Sequence, residues 1–301
     1  MVDFHIHSIL SDGFMRPDKV IMKAAASGIK VAALTDHNYV NDYSDELRER
    51  YGTRIQLVNG IELSTEYVRS DGGKTEVHIV GLGFKNEGIR EAVKKNRQDR
   101  RGYFNAMVEK LRVNCGIEIP SYDTFKRLYP ESRHLGRIHI TDYMLKHGII
   151  SSFDEGFDKY VGTYGERRAY VNSLDHMHFM SVAEGAELIK KAGGIPVLAH
   201  LFSYNLSMRE QMRLVQMFSG HAGPDAALEV FYGRYSPEKQ KLLKDIADDW
   251  NLLYSSGSDY HAKTLYERLM DPDHLSGTDL NRHVLSRLIS RGIVRDLNLL
   301  G

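Results

Sequence analysis

The chain has 301 residues, 42% of them apolar, enough to bury the core of one large α/β domain or of a core with an insertion. Its 40 basic and 40 acidic residues cancel, so no global field draws in polyanions and nucleic-acid binding would need a local patch. A lone cysteine, Cys115, excludes an internal disulfide and suits a reducing compartment. No leader-like pattern opens the sequence and no run approaches the roughly 18 apolar residues of a spanning helix, so a cytoplasmic protein without membrane contact or obligate protein partner is expected.

The first residues alternate, with Val2, Phe4 and Ile6 on one parity and Asp3, His5 and His7 on the other. Successive strand side chains point to opposite faces, so this pattern places His5 and His7 on one face, about 7 Å apart. Asp12-Gly13 follows, and Pro17 is placed to start a helix that Gly28 ends. Residues 31–34 read as a buried parallel strand from which Thr35-Asp36-His37-Asn38 emerges. A polar helix is expected over 42–51, a strand over 55–63 with Glu62 near its end, and another over 76–84 carrying His78. The turn Asp71-Gly72-Gly73 between these two predicts an antiparallel hairpin. From about 87 to 180 the rhythm changes to one long helical segment over 89–115 and shorter ones over 122–129, 138–147 and 154–160. This stretch reads as an inserted, mostly helical subdomain within an α/β unit made of 1–86 and 181–301. The βα alternation then returns. Helix 182–192 leads to strand 195–199 and His200, helix 208–218 to strand 226–231, and helix 236–248 to strand 252–256. Gly257-Ser258-Asp259-Tyr260-His261 follows, and a helix over 279–290 closes the pattern.

Strand ends therefore deliver His5, His7, His37, Glu62, His200, Asp259 and His261. In barrels and open parallel sheets such ends share one mouth. Singly, each residue is as readily a core or surface group; together they point to a metal centre. Imidazole and carboxylate donors without thiolate suit zinc, manganese or iron and do not choose among them.

These residues carry a resemblance. His5-x-His7, Asp12-Gly13, Thr35-Asp36-His37, Gly60-Ile61-Glu62, His78, Leu198-Ala199-His200 and Gly257-Ser258-Asp259-x-His261 resemble, in order and over essentially the whole chain, the motifs of the PHP (polymerase and histidinol phosphatase) family. Leu201 departs from the proline usual there. The resemblance implies a distorted (β/α)7 barrel with a metal cluster at its mouth. It is closest to the stand-alone phosphoesterases with a helical insertion, to which Gly136-Arg137-x-His139 and Leu228-Glu229-Val230 are also similar. It implies three divalent ions. His5, His7, Glu62 and Asp259 would hold the first, and Glu62, His78 and His200 the second, with Glu62 bridging. Asp12, His37 and His261 would hold the third. Asp36 or Glu229 could orient ligand histidines.

The implied chemistry is hydrolysis of a phosphoric ester. Ions about 3.5–4 Å apart lower the pKa of a bridging water, and the hydroxide held by Glu62 and its neighbours would attack phosphorus. Arg137 is the candidate for the phosphoryl oxygens, because guanidinium binds them bidentately, with His139 as a further substrate contact. The leaving-group acid stays open. The expected substrate is small, phosphorylated and nucleotide-type, either a 3′,5′-bisphosphonucleotide or an oligonucleotide end. A cyclic sugar-phosphate phosphodiesterase, a histidinol-phosphate phosphatase and a non-catalytic metal-binding module are the alternatives. The basic clusters Arg167-Arg168, Lys94-Lys95 and Arg97 to Arg101 read as solvated faces unless they line the mouth. Tyr164, Tyr170 and Tyr204 could stack on a base, though tyrosine more often packs. His134, His147, His176, His178, His221, His274 and His283 lie outside the motifs and read as mostly surface residues.

Overall fold

The computed structural model describes residues 2–41, 54–163, 165–261 and 281–295. The helix expected over 42–51, Tyr164, His274 and the start of the helix expected at 279 lie outside the described residues. The chain opens with β1 (Val2–Ile6), α1 (Pro17–Ala26), β2 (Val31–Leu34), β3 (Gln56–Leu57), β4 (Gly60–Val68) and β5 (Lys74–Leu82). It continues through α2 (Asn86–Lys94), β6 (Arg97–Gln98), α3 (Arg100–Cys115), α4 (Tyr122–Leu128), α5 (Arg137–Lys146), the short α6 (Phe153–Glu155) and β7 (Met177–His178). It closes with α7 (Val182–Lys191), β8 (Ile195–Leu198), α8 (Met208–Ala222), β9 (Ala227–Tyr232), α9 (Pro237–Asp249), β10 (Leu253–Gly257) and α10 (Val284–Ser290).

β1, β2 and β3 form a parallel sheet, and β10-β9-β8-β5-β4 form a second, mixed sheet. Two bridges stitch the sheets together. Ile6 pairs with Tyr260 just beyond β10, and His37 just beyond β2 pairs with Glu62 in β4. The strand order β2-β1-β10-β9-β8-β5-β4 therefore runs around a ring, the distorted (β/α)7 barrel that the resemblance implies. The distortion has a local cause. β4 and β5 are joined by the short Asp71-Gly72-Gly73 turn, so β5 runs antiparallel to both β4 and β8.

Three apolar clusters hold the barrel. Val2, Phe4, Val31, Val80, Val197 and Ala227 come from strands all around the ring and meet inside it, with Val284, Leu285 and Leu288 of α10. Ile61, Ile79, Leu198 and Leu228 face outward under α7, α8 and α9. Ile6, Ala32 and Leu34 pack under Val20, Ile21 and Ala24 of α1. The helix starts follow their caps. Ser181 and Glu184 form a capping box on α7, and Ser236 with Pro237 opens α9 as its sequence suggests. A further cluster, built on Phe104, Met107, Phe125, Ile140 and Met144, draws only on residues between Tyr103 and Phe179. Among the described residues, no helix is long and apolar enough to cross a membrane.

Four local expectations change. The strand expected over 55–63 is two strands, β3 and β4, and Glu62 stands near the start of β4 and not near a strand's end. The β1–β2 pairing slips between Asp3, opposite Ala32, and Ile6, opposite Leu34. Val2 and Phe4 therefore pack inside the ring while Ile6 packs under α1, and strict alternation fails at this bulge. The helix expected over 89–115 is two helices. β6 interrupts it by pairing with the distant β7, and the Asp99 side chain caps the second helix at the Gly102 N–H. The helix expected over 154–160 begins as α6 and loosens into a π-helix, Gly156–Val161.

Candidate metal centre

All nine expected donor residues come to one mouth of the ring. Glu62, fully buried, sits at its centre. Its Oε1 lies 3.3 Å from His5 Nε2, 2.9 Å from His78 Nδ1 and 3.0 Å from His200 Nε2. Its Oε2 lies 3.2 Å from His7 Nε2 and 3.0 Å from His37 Nδ1. Asp259 Oδ1 is 3.1 Å from His7 Nε2 and 3.6 Å from His5 Nε2, and Asp12 Oδ1 is 3.2 Å from His261 Nε2. Despite the bulge, the His5 and His7 rings stand only 5.2 Å apart. His78 reaches Glu62 from the one reversed strand.

The electrostatics follow from this crowding. Burial alone would depress His7 and His78, but the carboxylates of Asp259 and Glu62 push His7 up to about 10, and Glu62 with Glu76 does the same to His78. Burial would raise Asp12, Glu62 and Asp259, yet the surrounding imidazoles hold all three well below the usual carboxylate range. His37 goes the other way, to about 3, through burial and the neighbouring His7 and His78. His5 Nε2, His7 Nε2, Asp12 Oδ1, His37 Nδ1, Glu62 Oε2 and His78 Nδ1 are shielded from solvent and make no well-formed hydrogen bond. Buried donor atoms crowded in this way cost desolvation with little return, unless a cation sits among them. The residues therefore fit divalent metal ions. Four sets have their donor atoms within 4.8 Å of one another: His7-Asp12-His37-His261, His5-Glu62-His200, His5-His7-Asp259 and His37-Glu62-His78. All nine expected ligands fall in these sets, and Glu62, His5, His7 and His37 are each shared between two.

A supporting layer orients these groups. Glu229 Oε1 is 2.8 Å from His5 Nδ1, which turns Nε2 toward Glu62, and Glu229 Oε2 accepts the His200 N–H at 2.8 Å. That bond holds His200 at φ +27°, a conformation that costs energy for a residue with a Cβ. Asp259 is also left-handed, at φ +55°, and is fixed by its N–H to His5 O at 2.8 Å. Tyr232 donates to Asp259 Oδ2 at 2.8 Å. Asp36 accepts from Ser8, Ser11 and Asn41, fastening the loop that carries Asp12. Gly257 is required by packing. A Cβ there would lie 2.3 Å from His5 Cβ and 2.4 Å from Glu229 Oε1. Gly257→Ala is therefore expected to displace this pair and weaken metal binding by about 10–100-fold, read by calorimetric titration of zinc into the metal-free protein.

A cleft of about 970 Å³ opens over the centre, with Asp12, Glu62, His200 and His261 in its floor. Arg137, at the start of α5, lines it. His139 does not. It is fully buried behind the cleft, with Nε2 2.9 Å from Ser132 Oγ and its ring against Phe14 and Tyr129. Tyr204 lines the cleft, but its hydroxyl is engaged by the His78 N–H and by Ala199 O. Two histidines expected at the surface are not there. His283 is fully buried against Ser256 Oγ, and His134 lines the cleft. Glu76, absent from the expected set, packs against His78 Nε2 at 3.1 Å and accepts from Ser173. Its position two residues before His78 on the same strand face is the signal that could have found it.

Fold, donor set and relatives together define a metal-dependent phosphoesterase. Residues 3–230 match the PHP domain, and the chain belongs to that family. It is similar to the 5′-3′ exoribonuclease of Haemophilus influenzae, 27% identical over 86% of this chain and 89% of that protein. It is also similar to the 3′,5′-nucleoside bisphosphate phosphatase of Chromobacterium violaceum, 28% identical over 87% of each. Among solved structures, an amidohydrolase from Chromobacterium violaceum with bound SO4 and no metal superimposes with a TM-score of 0.78, at 28% identity over 96% of each chain.

Proposed function

We propose that the protein hydrolyses a small, nucleotide-type phosphoric ester, a 3′,5′-bisphosphonucleotide or an oligonucleotide end, with three divalent ions drawn from zinc, manganese or iron. The carrying observation is the convergence of nine imidazole and carboxylate groups around Glu62, in the floor of a cleft of nucleotide size. The names of the two relatives support the substrate class. When bound, the ions supply Lewis acidity toward the phosphoryl group and a nucleophilic water at neutral pH. His5, His7, Glu62 and Asp259, then His78 and His200, then Asp12, His37 and His261 are the ligands in this reading. Glu229 keeps the His5 tautomer fixed. Arg137 receives the phosphoryl oxygens with its guanidinium fork. The buried His139 acts on the substrate only indirectly, by packing behind the Asp12 loop. We assign residues 87–180 to an inserted helical unit that walls the cleft, on a barrel of 1–86 and 181–301.

The test is a screen of the metal-reconstituted protein against bisphosphonucleotides, 5′-phosphorylated short oligonucleotides and cyclic sugar phosphates. Phosphate release from the first two, abolished by chelator and restored by metal, is the expected result. No turnover with zinc, manganese or iron sinks the reading. In the active enzyme, Arg137→Ala is expected to raise KM about 10–100-fold with metal content retained. Steady-state kinetics beside elemental analysis checks it.

A further inference from the structure

We propose that Arg100 and His134 form a subsite for a second phosphoryl group of the substrate, one that is held and not cleaved. The proposal rests on the phosphoesterase reading and adds the residues that select a doubly phosphorylated substrate.

Two neighbouring arginines begin α3 and behave differently. Arg101 points outward and makes a two-pronged pair with Asp123, at 2.7 and 2.8 Å. Arg100 lines the cleft, donates Nε to Gln98 Oε1 at 2.8 Å, and makes no ion pair among the described residues. Glu76 also lines the cleft, but it is already engaged by His78 and Ser173. Burial disfavours the Arg100 charge more than the nearby Glu76 and Asp12 support it, and neither carboxylate makes an ion pair with it, so an arriving anion offsets the remaining cost. His134 is the second, independent observation. Its backbone N–H donates to Ser11 O at 3.0 Å, which fixes it above the turn that carries Asp12. Its Nδ1 is shielded from solvent and makes no hydrogen bond, although the residue lines the same cleft. Burial and the nearby Arg100 push this imidazole well below its ordinary pKa, and a neutral imidazole still carries one N–H to donate. A planar fork beside a neutral N–H donor suits the oxygens of a phosphoryl group. Its source is either a terminal monoester, which both the bisphosphate and the 5′-phosphorylated dinucleotide carry, or an internucleotide diester, which only the dinucleotide carries.

The experiment compares the metal-loaded protein with Arg100→Lys, Arg100→Gln and His134→Ala on adenosine 3′,5′-bisphosphate, on a 5′-phosphorylated adenosine dinucleotide and on 3′-AMP. The kcat/KM ratio of a doubly phosphorylated substrate over 3′-AMP is expected to fall about 10–100-fold in Arg100→Gln. It should fall less in Arg100→Lys, which keeps the charge without the fork. A fall in both ratios assigns the subsite to a terminal monoester, and a fall confined to the dinucleotide assigns it to the internucleotide diester. Elemental analysis and melting curves should match the parent. Calorimetry with adenosine 3′,5′-bisphosphate on the metal-free protein is the second readout, and its affinity should drop in Arg100→Gln and His134→Ala. Ratios and affinities equal to the parent in both overturn the subsite, even if the enzyme hydrolyses nucleotides. Absence of hydrolysis with binding that still depends on Arg100 and His134 overturns the phosphoesterase reading and leaves the subsite standing.

Discussion

Glu62→Gln is expected to lose metal and to slow turnover by about a thousandfold, the equivalent of the several kcal/mol that a Lewis acid contributes to a developing charge. Five imidazoles, from His5, His7, His37, His78 and His200, face this one carboxylate within 3.3 Å. Glutamine keeps the shape and removes the charge. It also replaces one of the two carboxylate oxygens, each able to face an imidazole N–H or a cation, with an amide N–H2 that can only donate. The backbone should not move, because Asn38 N–H holds Glu62 O at 2.8 Å and Glu62 N–H reaches Asp36 O at 3.3 Å. Elemental analysis, phosphate release and far-UV circular dichroism on one preparation check all three points. A variant with full metal content and the parent's rate would show that Glu62 is not the shared ligand.

Phe104→Ala is expected to cost about 3–5 kcal/mol, within the range for removing a buried aromatic side chain. Phe104 is fully buried, with its ring 4.8 Å from Phe125 and 5.5 Å from Tyr122. Its cluster draws on Tyr103 to Phe179 and on none of the barrel's apolar groups. If 87–180 is an inserted unit, the loss should fall there alone. The chain has one tryptophan, Trp250, which caps the C-terminal end of α9 and packs, partly buried, against the outer barrel cluster. Its fluorescence therefore reports the barrel, while far-UV circular dichroism reports both parts. In guanidinium titrations the variant should show an early dichroism transition and an unshifted fluorescence transition. Both signals moving together would mean that the chain unfolds as one cooperative body and that the division at 87 and 180 has no thermodynamic meaning.

Much of the centre was legible because strand ends are local features. His37 follows the apolar run 31–34, His200 follows 195–198, and Asp259 follows a strand that ends in glycine, so each motif announces its own position. Even the reversed strand with His78 follows from a short turn. What the sequence withheld depends on partners distant along the chain. The slip that sends Ile6 away from Phe4 arises in the pairing of β1 with β2. The break before α3 is set by β6 meeting β7, nearly 80 positions later. His134 and His283 resemble any isolated histidine until Ser11 and Ser256 are placed beside them. The alternating run of residues 2–7 reached the right conclusion about His5 and His7, although strict alternation does not hold there.

The seam between β1 and β10 has a consequence for biosynthesis. Ser258 donates its N–H and hydroxyl to Asp3, 255 positions earlier, at 3.0 and 2.6 Å. At translation speeds of about 5–20 residues per second, His5 and His7 wait tens of seconds for Asp259 and His261 to leave the ribosome. Throughout that interval the nascent polypeptide can offer only a fractional coordination sphere, and a weakly held ion can exchange freely. Ion selection would then be settled late, as the final strand zips into place, so the supply of ions at that moment would govern which element becomes trapped.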